Sequence, residues 1–291
     1  MPLPVDLPIV DHHCHLSPHG EGVRAAARFR SAGGTHLFLA TQNYAPDVPL
    51  DLGAYQHQFE VTEALAHRVR ADTGVVVYCV VAPYPVDLIG ATERIGLPAA
   101  IALHTAALEL AGRWVRERRA VAIGEVGRPH FDVADPRVRR ASEDLFDLAL
   151  SVARDADCPA IVHCEELSAE EIARLGRRAR AAGLPPVRLV KHYARARFPA
   201  PSPERISVSY LAKRELVGEV LLEQGPWFLE TDFLDDPKRP GAVLDLATIP
   251  RRAAWVAETR PDQVERLRIP FEEAIRAVYG WSPERDERSG A

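Results

Sequence analysis

Residue types that bind divalent metal ions follow several apolar runs of this sequence. His13 and His15 close the first run. Side chains alternate along a strand, so we expect both imidazoles on one side, toward the interior, and His12 on the other side, toward the helices. Later runs also end in a histidine or a carboxylate. The complete set is His13, His15, Glu125, His163, His192 and Asp232. Mixed imidazole and carboxylate ligands suit divalent metals, and this set is large enough to hold one or two ions.

Each of these residues has a simpler explanation when it is considered alone. A buried Glu125 needs a partner, and a salt bridge to Arg128 or a neighbour would supply one. His163 or His192 alone is more often a hydrogen-bonded core histidine, and Asp232 could cap the following helix. All of them lie at the same ends of the first, fourth, fifth, sixth and eighth apolar runs, which favours a metal centre.

The elements that position these residues are short apolar runs separated by amphipathic stretches. Apolar residues recur at three- and four-residue intervals in Ile101–Arg119 and Pro136–Ala156, which predicts helices. The candidate strands are Pro8–His15, His36–Gln42, Val75–Ala82, Ala120–Glu125, Pro159–Cys164, Val187–His192, Arg205–Tyr210 and Trp227–Asp232. Eight βα units predict an α/β fold, a TIM (β/α)8 barrel or a distorted form of it, with the metal site at the C-terminal ends of the strands.

The length and composition indicate one soluble globular protein. The chain has 291 residues, of which 47% are hydrophobic, enough for a sizeable core. We predict a single domain over residues 1–281 and a polar C-terminal tail over 282–291. The net charge of -5 argues against a stable nucleic-acid complex.

The same sequence contains no apolar window long enough to span a membrane and no secretory pattern at its start. We therefore expect a cytoplasmic protein without a membrane partner. Its four cysteines lack the paired spacing of a zinc or redox site, so we expect reduced core thiols. They are Cys14, Cys79, Cys158 and Cys164.

Several motifs, taken in order, resemble the TatD family of the amidohydrolase superfamily. They are DHHCHL at 11–16, IGEVG at 123–127, the strand-end His163 and His192, and LETD at 229–232. Residues 230–244 are similar to a largely archaeal branch of TatD-related metal-dependent hydrolases. The resemblance covers every predicted strand, and it implies an enzyme that hydrolyses ester bonds, as the nucleases of the family do.

The resemblance also implies a binuclear metal centre. One ion would be held by His13, His15, Glu125 and Asp232, and Glu125 would bridge to a second ion on His163 and His192. We expect zinc, with manganese, magnesium, nickel, cobalt or iron as alternatives. Asp232 and Glu125 would be the catalytic residues, with Asp232 exchanging protons with a metal-activated water and the leaving group.

The loops around this centre depart from the nuclease pattern. Bacterial TatD nucleases usually have an arginine after the fifth-strand histidine, whereas Glu165 and Glu166 stand near that point and would repel a phosphodiester. We expect a phosphodiester, including a nucleic-acid end, or another small anionic substrate. The alternatives are an amidohydrolase or lactonase acting on a cyclic amide or ester, and a non-catalytic metal-binding barrel. The candidate substrate-binding residues are Arg128, His130, Tyr193, Arg195, Lys238 and Arg239, with Gln42, Asn43 and Tyr84 in earlier loops.

Overall fold

The computed structural model describes residues 7–194 and 204–283, which form a TIM-like α/β barrel. Its strands are β1 (Val10–His15), β2 (His36–Ala40), β3 (Val76–Val81), β4 (Ala122–Gly127), β5 (Ala160–His163), β6 (Leu189–Ala194), β7 (Ser207–Leu211), β8 (Trp227–Glu230) and β9 (Phe233–Leu234). All eight predicted strands are present, with ends shifted by a few residues. The two-residue β9 was not predicted, because so short a segment has no readable periodicity.

Helices alternate with these strands. They are α1 (Val23–Ser31), α2 (Leu52–Thr73), α3 (Asp87–Ile95), α4 (Leu97–Arg116), α5 (Pro136–Asp155), α6 (Ala169–Ala181), α7 (Arg214–Val220), α8 (Thr248–Thr259) and α9 (Ala274–Tyr279). The two helices predicted from periodicity are confirmed as α4 and α5. No helix within the described ranges is long and apolar enough to cross a membrane.

The strands are parallel, in the order β8-β7-β6-β5-β4-β3-β2-β1-β9. The two ends of this sheet meet where the chain leaves β8. There the Asp232 backbone N–H donates to the His13 carbonyl at 3.0 Å, and β9 then pairs with the end of β1. The barrel is therefore joined through an interrupted strand, the distorted form that the sequence left open.

The core has two layers that follow strand alternation. Phe38 and Ala40 of β2 pack inside the barrel with residues from the other strands, whereas Leu37 and Leu39 pack against the helices. The cysteines are free and buried, as predicted. At one end of the barrel Tyr279 and the following segment cover the inner layer.

His12 lies inside the barrel, so the prediction that it points to the helices is wrong. Its ring stacks on Phe228 at 3.7 Å between centroids, and its Nε2 is 2.8 Å from the Tyr279 hydroxyl. The cause is a register shift between Asp11 and Cys14, where β1 has one residue more than β2. Burial, and then the charge of His192, lower the pKa of His12 to about 3, so its ring is neutral.

Asp235 ties the segment after β9 to the loop between β1 and α1. Its buried carboxylate accepts hydrogen bonds from the backbone amides of Ser17, Glu21 and Gly22 at 2.7–2.9 Å. A Cβ at Gly20 would lie 2.1 Å from this carboxylate, so the loop requires glycine there. The contact holds the two chain segments that carry the first and last predicted metal ligands.

Some predictions fall on residues outside the described ranges. These are Arg195, most of the loop before β7 and residues 284–291 of the predicted tail. The division of the chain into residues 1–281 and 282–291 stays a prediction.

We predict that Asp235→Ala lowers the free energy of unfolding by about 3 kcal/mol, because it leaves three amide donors, two of them buried, without an acceptor. Urea denaturation followed by circular dichroism measures the change. Asp236→Ala is the matched control, since this neighbour pairs with the exposed Arg239 and should cost under about 1 kcal/mol. Equal losses in the two variants would contradict the role of Asp235.

Candidate metal centre

The structure brings all the predicted metal ligands together. His13 and His15 lie at the end of β1, Glu125 in β4 and His163 at the end of β5. His192 lies in β6, and Asp232 follows β8. Five of these residues, all except His163, form two overlapping donor groups that could hold metal ions. These groups are His13, His15 and Asp232, and His13, Glu125 and His192, with all donor atoms in a group within 4.8 Å of one another.

Glu125 is at the centre of this cluster. Its Oε1 is 2.9 Å from His163 Nδ1 and 2.8 Å from His192 Nε2. The same carboxylate lies 3.8 Å from His13 Nε2 and 3.5 Å from His15 Nε2. One carboxylate therefore reaches both pairs of imidazoles, which is the placement of a bridging ligand. The alternative of a Glu125 salt bridge to Arg128 is wrong, since that guanidinium pairs with other carboxylates.

Asp232 follows β8 rather than ending it, and its φ is +48°. In this left-handed conformation its Oδ1 lies 3.9 Å from His13 Nε2 and 3.7 Å from His15 Nε2. The next helix, α8, begins at Thr248, so Asp232 does not cap it. The strain of a non-glycine residue at positive φ is expected where a side chain must face a functional site.

The spacing of the ring nitrogens fits metal ligands. His13 Nε2 and His15 Nε2 are 3.2 Å apart, and His163 Nδ1 and His192 Nε2 are 3.1 Å apart. Two nitrogens bound to one tetrahedral zinc ion would be roughly 3.3 Å apart, given zinc–nitrogen distances of about 2.0–2.1 Å. The donor types and their spacing therefore suit divalent metal ions.

The outer nitrogens of His15 and His163 have their own partners, which fix how these two rings face the centre. His15 Nδ1 is 3.2 Å from the Ala40 carbonyl, and this contact leaves Nε2 for the centre. His163 Nε2 lies 3.2 Å from the Tyr84 hydroxyl and 2.9 Å from His130 Nδ1. His163 therefore presents Nδ1 inward.

Burial and charge shift the pKa values of the cluster in opposite directions. Burial alone would raise the pKa of Glu125, but His192 and His163 hold it well below its usual range. Burial alone would lower the pKa of His192, but Glu125 and Glu230 raise it to about 10. Burial raises the pKa of Asp232 well above its usual value. A cation that binds Glu125 and His192 must therefore displace a proton from the imidazole.

The cluster faces a cavity of about 360 Å³, which is lined by residues from several βα loops. Beyond the predicted ligands, its polar lining residues are Thr41, Gln42, Asn43, Tyr84, Asp87 and Arg239. Of the predicted substrate residues, Gln42, Asn43, Tyr84 and Arg239 line this cavity, and His130 contacts His163. Sequence reasoning missed Asp87, for which the available signal was an acid in the loop after the third apolar run.

The other candidate substrate residues have different surroundings. Arg128 pairs with Glu165 and, at 3.0 Å, with Glu143, so its charge is compensated beside the cavity rather than within it. Tyr193 has a φ of +53°, and its backbone N–H donates to Glu230 at 2.6 Å. Lys238 is exposed, and Arg195 lies outside the described residues.

Solved structures of other proteins share this architecture. The TatD homologue YjjV from Escherichia coli K12 has a TM-score of 0.60 and 17% identity, with 94% of this chain and 98% of that chain covered. A mutant of a phosphotriesterase-like lactonase from Deinococcus radiodurans has a TM-score of 0.56 and 15% identity, with 96% and 98% covered. At these identities the likeness establishes the fold.

Sequence comparisons establish the family. An uncharacterized protein of Methanocaldococcus jannaschii is 30% identical over 277 residues, covering 94% of this chain and 96% of that protein. The family model described as "TatD related DNase" matches residues 10–280. The predicted resemblance is thus confirmed, and the chain belongs to the TatD family of metal-dependent hydrolases.

Proposed function

We propose that this protein hydrolyses a small ester with water activated at two divalent metal ions. The ligands would be His13, His15, Glu125, His163, His192 and Asp232. The observation that carries the proposal is the position of Glu125, within 2.8–3.8 Å of ring nitrogens from both histidine pairs. A single carboxylate placed between two pairs of imidazoles suits a bridge between two ions better than one mononuclear site.

When bound, the metal ions lower the pKa of a water molecule toward neutrality and polarise the scissile carbonyl or phosphoryl group. The chain supplies the proton transfer. Asp232 accepts the proton of the attacking water at a carboxylate oxygen and returns it to the leaving group. Burial raises the pKa of Asp232, so its carboxylate is a stronger proton acceptor than that of Glu125, whose pKa His192 and His163 hold well below its usual range.

The cavity favours a small substrate that carries an anionic group. Its volume of about 360 Å³ fits a small molecule or the end of a chain. Arg239 lines it and donates through Nε to Asp236 at 2.8 Å, so part of its guanidinium can contact an anion. Because Glu165 and Glu143 compensate Arg128, the surroundings do not favour a long polyanion.

A lactone or cyclic amide is the second candidate substrate. The compensated charge of Arg128 suits an uncharged ring at the metals better than it suits a phosphodiester. The phosphotriesterase-like lactonase from Deinococcus radiodurans has the same barrel, which supports testing this class.

Metal removal tests the hydrolase proposal directly. We expect a chelator to reduce turnover about 100-fold or more for whichever of bis(4-nitrophenyl) phosphate, a γ-lactone and a cyclic amide the protein accepts. Zinc or manganese should restore it, and metal analysis should find about two ions per chain. Turnover that survives complete metal removal would contradict the mechanism, and selective activity on the lactone would favour the second candidate.

Asp232→Asn tests the proton-transfer role. Because asparagine cannot accept the proton, we expect kcat to fall about 100-fold or more while most of the bound metal remains. Steady-state kinetics and metal analysis are measured on the same preparation. Asp144→Asn removes the same charge from an exposed position of α5, and it should leave kcat nearly unchanged. Full turnover by Asp232→Asn would show that another group moves the proton.

His163→Ala tests whether there are two ions. His163 contacts Glu125 and His192 and belongs to neither three-residue donor group, so its loss should release one ion and retain the other. Metal analysis after dialysis measures the change. His67→Ala, at an exposed histidine, controls for metal bound at the surface. An unchanged metal content in His163→Ala would favour a single-ion site without His163.

A further inference from the structure

Asp87 is a buried carboxylate that faces the metal-site cavity. It is the first residue of α3 and is 6% exposed. It lines the same cavity as Glu125 and Asp232, although it lies in a different βα loop from every predicted ligand. Its backbone N–H donates to the Tyr84 carbonyl at 3.0 Å, which holds the loop against the cavity wall.

The Asp87 carboxylate has no hydrogen-bond donor or ion-pair partner within residues 7–194 and 204–283. Burial raises its pKa to about 7, with no opposing contribution from a neighbouring group. Its oxygens are not among the fully enclosed unpaired polar atoms of the described residues, so they open to the cavity, where a donor of a bound ligand can reach them. The amides of the first turn of α3 do not donate to it either, so it does not cap its own helix.

Tyr84 relates Asp87 to the metal cluster. The Tyr84 hydroxyl lies 3.2 Å from His163 Nε2, and the Tyr84 carbonyl accepts the backbone N–H of Asp87 at 3.0 Å. All three residues line the same cavity. A ligand bound at the cluster would therefore lie in the cavity that Asp87 faces.

We propose that Asp87 selects the substrate, by accepting a hydrogen bond from a protonated amine of a small ester or amide whose scissile group lies at the metal cluster. This inference rests on the proposed function of that cluster. A charge-assisted hydrogen bond to the amine would satisfy the buried carboxylate. Arg239, which lines the same cavity, would contact an anionic group of the substrate. Asp87 would also repel a polyanion, in line with the compensation of Arg128.

The test uses the metal-loaded protein and two esters of the same shape, β-alanine ethyl ester and ethyl butanoate, at about pH 8, where the Asp87 carboxyl is ionised. We expect Asp87→Asn to lower the ratio of their kcat/KM values about fivefold or more, through the amine-bearing ester alone. Metal content should not change. Because Asp87→Asn removes only charge, binding of inorganic phosphate, measured by calorimetry, should become about threefold tighter.

Asp47→Asn is the matched control, because it removes the same charge from an exposed side chain of the loop between β2 and α2. If the kcat/KM ratio and the phosphate affinity of Asp87→Asn equal those of this control, the proposal is overturned. Asp87→Ser replaces the asparagine variant if thermal melting shows that the latter does not fold. Absence of chelator-sensitive hydrolysis of either ester would count against the proposed function, and the phosphate titration would then decide the role of Asp87.

Discussion

The buried negative charge of Glu125 is the interaction on which the site depends. The side chain is 5% exposed, so nearby cations or donors must compensate it, and imidazoles from β1, β5 and β6 do so. Because β4 lies so close to β5 at this point, there is no space for a side chain at the glycines near Glu125. A Cβ at Gly124 would lie 2.7 Å from the Ile161 Cβ, and one at Gly127 would lie 2.3 Å from the His163 carbonyl oxygen. The glycines on either side of Glu125 are therefore a steric consequence of its position.

The contacts that join the two ends of the barrel also bring the candidate metal ligands together. Asp11 accepts hydrogen bonds from the Thr231 backbone N–H at 3.0 Å and the Thr231 hydroxyl at 2.5 Å. These contacts hold the chain after β8 against β1, and the next residue is Asp232. Its backbone N–H then bonds to His13 itself. A change that loosens this join would move Asp232 away from His13, so stability and metal binding are coupled here.

The barrel and the meeting of the candidate metal ligands at one end of it were readable from the sequence, because both follow from local rules. Apolar runs gave the strands, and parallel strands place their C-terminal ends together, which is where His163 and His192 lie. The alternation rule mispredicted the direction of the His12 side chain, because the extra residue in β1 can be recognised only from the pairing of β1 with β2. The sequence did not reveal the surroundings of Arg128 and Asp87 either. Whether a loop charge is compensated by Glu165 or left without a donor depends on packing between distant segments.

The pairing of these loop charges bears on which substrate the proposed site would accept. Arginines near the predicted ligands suggested an anionic substrate, but Arg128 is occupied by Glu165 and Glu143, and Arg178 binds Glu143 as well. Within the described lining of the metal-site cavity, the charges beyond the predicted ligands are those of Asp87 and Arg239. A cavity with one acidic and one basic group is complementary to a small molecule carrying both charges, and it gains little from a uniform polyanion. On the proposed function, the metal cluster would supply the chemistry, and the loops that carry these two residues would supply the selectivity.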